Sequence, residues 1–237
     1  MNSAQVGTET RVSVMEASTP TDAGPDDRGE VMDLAGLRSI YRDPSDLVLN
    51  KTIDHVDVTV EGFIARSPLF VLATSDGTAT DASPRGGPPG FVRVLDRHRI
   101  AFGDLTGNNR LDSYANLVAH PAVGMLFMVP GLEETLRVNG RARMRTDVAL
   151  RAICALDDRV PKAVVEIEVD ECFLHCGAAL RRAAMWDLST WPEAGQRPSP
   201  GAMIVAHTGI DVEPEAVEAN MNDYYDNGIW EVGGQSR

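Results

Sequence analysis

Cysteine, lysine and long apolar runs are all scarce in this chain of 237 residues. The three cysteines, Cys154, Cys172 and Cys176, are an odd number without a Cys-x-x-Cys pair, which argues against a disulfide framework or a zinc knuckle. Reduced structural thiols are expected instead, with Cys172 and Cys176 on one face of one strand. No apolar run approaches the roughly 18 residues that a membrane-spanning helix needs. The N-terminus also lacks the basic-then-apolar layout of a signal peptide, so a cytoplasmic protein with no membrane partner is expected. Positive charge is short as well. The net charge is -13, and residues 1–34 and 193–237 carry fifteen of the acids against four bases, leaving the middle near neutrality. That pattern disfavours nucleic acid, which needs a broad basic face. Of the 22 basic residues only Lys51 and Lys162 are lysines. Codon usage alone can produce such an excess of arginine, yet arginine is also the side chain that grips phosphate in a bidentate fork.

What is present is a change of hydrophobic period along the chain. Residues 1–32 are polar and aperiodic and read as a disordered arm. "DLAGLRSIYR" (33–42) and "HVDVTVEGFIARS" (55–67) have helical spacing, the second through Val56, Val60, Phe63 and Ile64. From residue 69 the period becomes two. "LFVLATS" (69–75), "FVRVLD" and "RIAFGD" around a turn at Arg97 and His98, "AVGMLFMV" (122–129), "TLRVNGRARMR" (135–145) and "AVVEIEVDECFLHC" (163–176) all read as strands. In 135–145, Leu136, Val138, Gly140, Ala142 and Met144 fall on one face, and Arg137, Asn139, Arg141, Arg143 and Arg145 on the other. Short helices are expected near "DVALRAICAL" and "AALRRAAMW", then a Pro- and Gly-containing stretch and an acidic helix near 213–226. This order predicts a mainly β domain with flanking helices over 33–191 and an acidic extension over 192–237.

Two stretches carry candidate chemistry. In "GNNRLDSYANL" the glycine permits a reversal, and Asn108 or Asn109 is placed to cap the following helix. Its free amides, with Arg110 and Ser113 one turn apart, would make an anion site; an ordinary capped helix is the competing reading. In "TDASPRGGPPGFV" (80–92), a rigid loop is expected in which Ser83 and Arg85 face an anion or Arg85 bonds backbone carbonyls.

The blocks "SPRG", "GNNRLDSYANL" and "LRVNGRARM", in this order and spacing, resemble the pyridoxamine 5'-phosphate oxidase-like superfamily across residues 33–191. The resemblance implies a split β-barrel homodimer with FMN at the subunit interface. It matches Ser83 and Arg85, as cofactor-binding residues, to the polar loop after the first strand pair, Asn108, Asn109, Arg110 and Ser113 to the phosphate-binding turn, and Arg137 with Asn139 to the border of the flavin ring. It implies an oxidoreductase acting on a small molecule, with NAD(P)H as a further partner. Use of the deazaflavin F420, or flavin or haem binding without turnover, are the alternatives it allows. Where relatives carry Lys and an Arg-Ser pair, this chain has Ala178 or Ala179, and Ala183 with Ala184, which argues against vitamin B6 oxidation. No residue is selected as catalytic acid or base. His55, His98, His120, His175 and His207 read as structural or surface positions, no metal site is expected, and Trp186 and Trp191 read as packing residues.

Overall fold

The structure is a computed structural model that describes residues 33–105 and 107–230. The chain divides into two units, Met1–Ser45 and Asp46–Arg237. The described part of the first contains helix α1 (Leu34–Ile40), whose N-cap Asp33 accepts from the Gly36 N–H at 2.7 Å.

The second unit opens with α2 (Asp46–Asn50) and α3 (Val58–Ile64). Asp57 caps α3 by accepting from the Thr59 and Val60 amides, and Val60 and Ile64, four residues apart, turn the same face into the core. Seven strands follow: β1 (Leu69–Ser75), β2 (Thr80–Gly86), β3 (Val92–Asp96), β4 (Arg99–Gly103), β5 (Ala122–Met128), β6 (Thr135–Arg145) and β7 (Val164–His175). They form one antiparallel sheet in the order β2-β1-β5-β6-β7-β4-β3. Helix α4 (Asp112–Ala119) lies before β5, and α5 (Val148–Ile153) before β7. After β7 come α6 (Ala178–Arg182), α7 (Pro200–Thr208) and α8 (Pro214–Asn227).

The sheet curls on itself. β1 and β4 are near opposite ends of the strand order, yet the rings of Phe70 and Phe102 are 5.1 Å apart, with Phe127 also 5.1 Å and Phe91 5.7 Å from Phe70. No ladder joins the edge strands β2 and β3, so the result is a barrel with a split. Phe70, Leu72, Phe102, Met125, Phe127, Val138, Ile167 and Cys172 are fully buried inside it. Each large apolar side chain placed there stabilises the fold by about 1.5–3 kcal/mol.

The alternation of β6 holds throughout, but its pairing with β7 shifts register between Asn139 and Gly140. There Asn139 pairs with Glu171 and Gly140 with Val169, so Asp170 is the extra residue of a bulge on β7. A Cβ on Gly140 would lie 2.1 Å from the Glu168 carbonyl oxygen, which only glycine avoids. The bulge reverses the parity of β7. Val165, Ile167 and Val169 point inward before it, and Cys172 after it. Cys176, expected to share the face of Cys172, instead lies beyond the strand end and is exposed, while Cys172 and Cys154 are buried. On the opposite face of β4 and β7, Ala101 and Val164 pack with Leu150 and Cys154 under α5.

Three sequence expectations are corrected here. Residues 80–86 are not a loop but strand β2, paired with β1 from Leu69↔Gly86 to Ser75↔Thr80. Pro84 is accommodated because β2 is an edge strand, where a missing N–H costs no ladder bond. The Pro- and Gly-containing tail also holds α7, which Ser199 caps by accepting from the Ala202 N–H at 3.0 Å and Gly209 ends in a left-handed conformation. Finally, neither Asn108 nor Asn109 caps α4. Leu111 occupies that position in a left-handed conformation, φ 61°, with no side-chain cap. Asn108 Oδ1 instead accepts from the Arg110 N–H at 3.1 Å.

Candidate anion and cofactor site

The inward alternation of β2 puts Asp81, Ser83 and Arg85 on one face, half-buried between exposed neighbours. That face and the turn at 107–114 meet across the split of the barrel and line a cavity of about 260 Å³. Its other walls are Phe102 to Leu105 at the end of β4, the 156–162 loop, and Ile229 with Trp230 beyond α8. Six residues expected to face an anion, Ser83, Arg85, Asn108, Asn109, Arg110 and Ser113, thus share one cavity although β3 and β4 separate the two stretches in sequence.

Packing fixes each wall. Leu117 of α4 enters the barrel core, and Asn116 donates to Thr74 Oγ1 at 3.1 Å, which seats the helix on β1. The 154–162 loop is held by Arg93, which donates to the carbonyls of Ile153 and Ala155, both at 3.1 Å, and by Arg151, which donates to the Pro161 carbonyl at 2.7 Å. Pro161 sits so close to β4 that a Cβ on Gly103 would fall 2.8 Å from its ring. This approach brings Arg159 and Lys162 to the cavity.

The electrostatics are uneven. All three carboxylates of the cavity are engaged: Asp81 accepts from Ser113 Oγ at 2.6 Å, Asp104 from the Tyr114 hydroxyl at 2.7 Å, and Asp112 from Arg110 Nε at 2.6 Å. Ser113 is buried and committed to Asp81, so it joins α4 to β2 and its hydroxyl proton does not face an anion. The guanidinium of Arg85 lies 5.1 Å from the centre of the Tyr114 ring, and its buried Nε has no hydrogen-bond partner. Burial pushes the Tyr114 phenol far up, so it remains a neutral donor to Asp104. Asn109 adopts φ 58°, two residues before Leu111, so the turn holds two left-handed non-glycine residues. Arg159 lies 5.8 Å from the centre of the Trp230 ring, and Lys162 has no acidic partner among the described residues.

Arg137 and Asn139 do not reach this cavity. Asn139 donates to Glu171 at 2.7 Å, and Arg137 lies over Phe173 at 5.3 Å, both on the outer face of the sheet. Two further arginines of that face meet acids of the neighbouring strands and turns, while Arg143 is exposed. Arg141 pairs with Asp170 at 3.3 Å, and Arg145 with Glu166 at 2.6 Å, where Glu166 also receives Arg99 at 3.0 Å. Sequence reasoning passed over Tyr114, Asp104, Arg159, Lys162 and Trp230. Only Lys162 carried a signal, as one of two lysines in an arginine-rich chain.

The family model for pyridoxamine 5'-phosphate oxidase matches residues 57–176, half of the chain. The chain belongs to the pyridoxamine 5'-phosphate oxidase family. All seven strands and α4 fall inside the matched segment, whereas α6 to α8 and Trp230 lie outside it. Among solved structures it is similar to HupZ of Group A Streptococcus at 23% identity, over 50% of this chain and 93% of that one, with a TM-score of 0.39. An FMN-binding protein from Syntrophomonas wolfei is similar at 12% identity, over 49% and 83%, with a TM-score of 0.40. A protein of the pyridoxinephosphate oxidase family from Clostridium acetobutylicum is similar at 9% identity, over 51% and 90%, with a TM-score of 0.38. No curated protein matches the chain. Among the described residues, no helix is long and apolar enough to cross a membrane, and no group of His, Cys, Asp or Glu is arranged to hold a metal ion.

Proposed function

We propose that the protein is an FMN-dependent oxidoreductase acting on a small molecule, with the phosphate end of the cofactor in the cavity between β2 and α4. The observation that carries this reading is Arg85. A buried guanidinium nitrogen without a partner costs about 1–3 kcal/mol, a penalty that a bound phosphate oxygen would remove. The other donors suit the same group: Ser83, the amides of Asn108 and Asn109, Arg110 and Lys162 line the same cavity as Arg85, and each of its three carboxylates is already hydrogen-bonded. Bound FMN would supply two-electron transfer as hydride acceptance and donation. The protein's own part is to hold the phosphate through Arg85 and Lys162, and to fix the wall through the Asp81–Ser113 and Asp104–Tyr114 hydrogen bonds. Reduced nicotinamide is the electron donor this reading favours, and no side chain is assigned proton transfer.

A cavity of about 260 Å³ is below the roughly 300–1,000 Å³ of a typical cofactor pocket, so it suits the phosphate and its tether better than a whole flavin. A two-fold dimer would supply the remaining wall and bring Arg137 and Asn139 of a second copy toward the ring. The test is spectroscopic. Purified protein, or stripped protein given FMN, should show flavin absorbance that NADH or NADPH bleaches, at one flavin per chain and in a dimer by sedimentation. A colourless chain that takes up F420 and rejects FMN would replace the cofactor, and a flavin-loaded monomer would remove the dimer.

A further inference from the structure

One wall of the cavity comes from outside the segment that carries the family. The family match ends at residue 176, yet Ile229 and Trp230 line the cavity together with Arg85 and the 107–114 turn. Ile229 is half-buried, whereas Trp230 is exposed, so its ring stands where the cavity meets solvent. Arg110 and Lys162 are exposed lining cations and also stand at the rim, while the unpartnered Nε of Arg85 lies at the buried end. An anion that reaches Arg85 has to pass this rim.

The two sides of the rim are held unequally. On one side Leu156 is buried, and it exchanges backbone hydrogen bonds of 3.1 and 3.0 Å with Arg159 across a turn whose Asp157 has φ 55°. Arg93 and Arg151 tie the flanking carbonyls, so the backbone of Arg159 is fixed. On the other side α8 has no buried residue, and it is tied to α7: Glu218 accepts from the Ser199 hydroxyl, and a Cβ on Gly201 would lie 2.2 Å from the Pro214 carbonyl oxygen. At the end of α8 the buried Gly228 donates its N–H to the Tyr224 carbonyl at 2.7 Å, and the next two residues reach the cavity. A direct tie between the two sides is the Arg159 guanidinium, 5.8 Å from the centre of the Trp230 ring. The other partner of Arg159 is Asp157, 3.6 Å away and almost fully in water. Breaking a cation–π contact at such an exposed place shifts an opening equilibrium by about two- to fivefold, the strength of a latch and not of a core contact.

We propose that Ile229 and Trp230 form a movable cover over the anion cavity, latched by Arg159, so that the C-terminal extension sets how fast a phosphate-bearing ligand enters and leaves, a role that rests on the reading of the cavity as a phosphate site. With the ring on Arg159 the rim is narrowed. With the ring away, Arg110 and Lys162 face the incoming anion and Arg85 receives it. The cover stands in the path and is not the partner of the phosphate, so its loss speeds both directions and leaves affinity nearly unchanged.

The test uses the full chain and stopped-flow flavin fluorescence with FMN. Trp230→Ala should raise the association and release rates together, each about tenfold, with the equilibrium constant changed by less than about threefold. Trp230→Phe, which keeps an aromatic face for Arg159, should stay near the parent. Arg159→Gln should speed release about two- to fivefold, and the Arg159→Gln/Trp230→Ala double variant should release no faster than Trp230→Ala. Parent rates in Trp230→Ala, or faster release with unchanged association, overturn the cover while FMN binding by the parent stands. If the parent rejects FMN and binds inorganic phosphate, the flavin reading fails and the cover is decided separately. A saturable phosphate-dependent change in Trp230 fluorescence, assigned by its loss in Trp230→Phe, then supports the cover, and no change overturns it. A parent that binds neither removes the phosphate site and the cover with it.

Discussion

Arginines are set into this barrel in two contrasting ways. Three arginines of β4 and β6 are matched by acids of β7: Arg99 and Arg145 converge on buried Glu166, and Arg141 reaches Asp170. On β2 the guanidinium of Arg85 faces a cavity, and its buried Nε meets no acceptor. The same residue type thus serves as structural cement in one place and as an open acceptor of an anion in the other. Removing the first kind should cost stability and leave ligands alone. Removing the second should cost ligand and leave stability intact or improved, because an unsatisfied buried donor disappears with it.

The largest expected effect is on binding. Arg85→Ala should weaken FMN binding by about 1.5–3 kcal/mol, or roughly ten- to a hundredfold, in equilibrium titration of the stripped protein, with an unchanged or higher melting temperature. Equal affinity in the folded variant would move the phosphate elsewhere. Next, Glu166→Ala removes the carboxylate shared by Arg99 and Arg145, which keep only Asp96 and Asp147, and should destabilise by about 1 kcal/mol in urea unfolding, without altering FMN affinity. A Glu166→Ala protein as stable as the parent would erase the contrast. Arg110→Ala should have a smaller effect on FMN, about three- to tenfold, because Arg110 is mostly exposed and already held by Asp112. A loss larger than that of Arg85→Ala would exchange their roles.

The smallest effect concerns the thiols. Burial pushes Cys154 and Cys172 from 9.0 up to about 11. A folded pKa above the unfolded one means the folded chain holds those protons more tightly. Their contribution is complete below pH 9.0 and is lost as pH rises through about 11. Urea midpoints should therefore fall between pH 9 and pH 11, and a thiol reagent at pH 8 should modify Cys176 alone until the chain unfolds. Rapid native labelling of Cys172 would show that its burial beside the His55 carbonyl is not maintained.

Much of the sheet was legible in the residues. Strands β1 and β6 lie where alternation placed them, and the helices around Val60 and within 213–226 follow from their spacing. The misses have physical causes. β2 reads as a loop because Pro84 and Gly86 are poor strand formers, and only an edge position next to β1 makes them acceptable. The α4 cap went wrong because local rules favour asparagine, while the turn that reaches β2 forces Leu111 into the left-handed region. Of the site, Ser83, Arg85 and the asparagine turn were readable as polar residues beside glycine. Tyr114, Asp104 and Trp230 were not, since nothing local distinguishes them from packing residues.

By itself the sequence determined the period of every strand but β2, the split between apolar and arginine faces of β6, and the family blocks, because these depend on spacings of two to four residues. Tertiary structure alone decided which arginines are neutralised. Strand order and the bulge at Asp170 set Glu166 between Arg99 and Arg145, from strands 46 residues apart in their arginine positions, and leave Arg85 and Thr135 without acceptors. Hydrogen-bond satisfaction is a property of neighbours in space, and curling of the sheet chooses those neighbours.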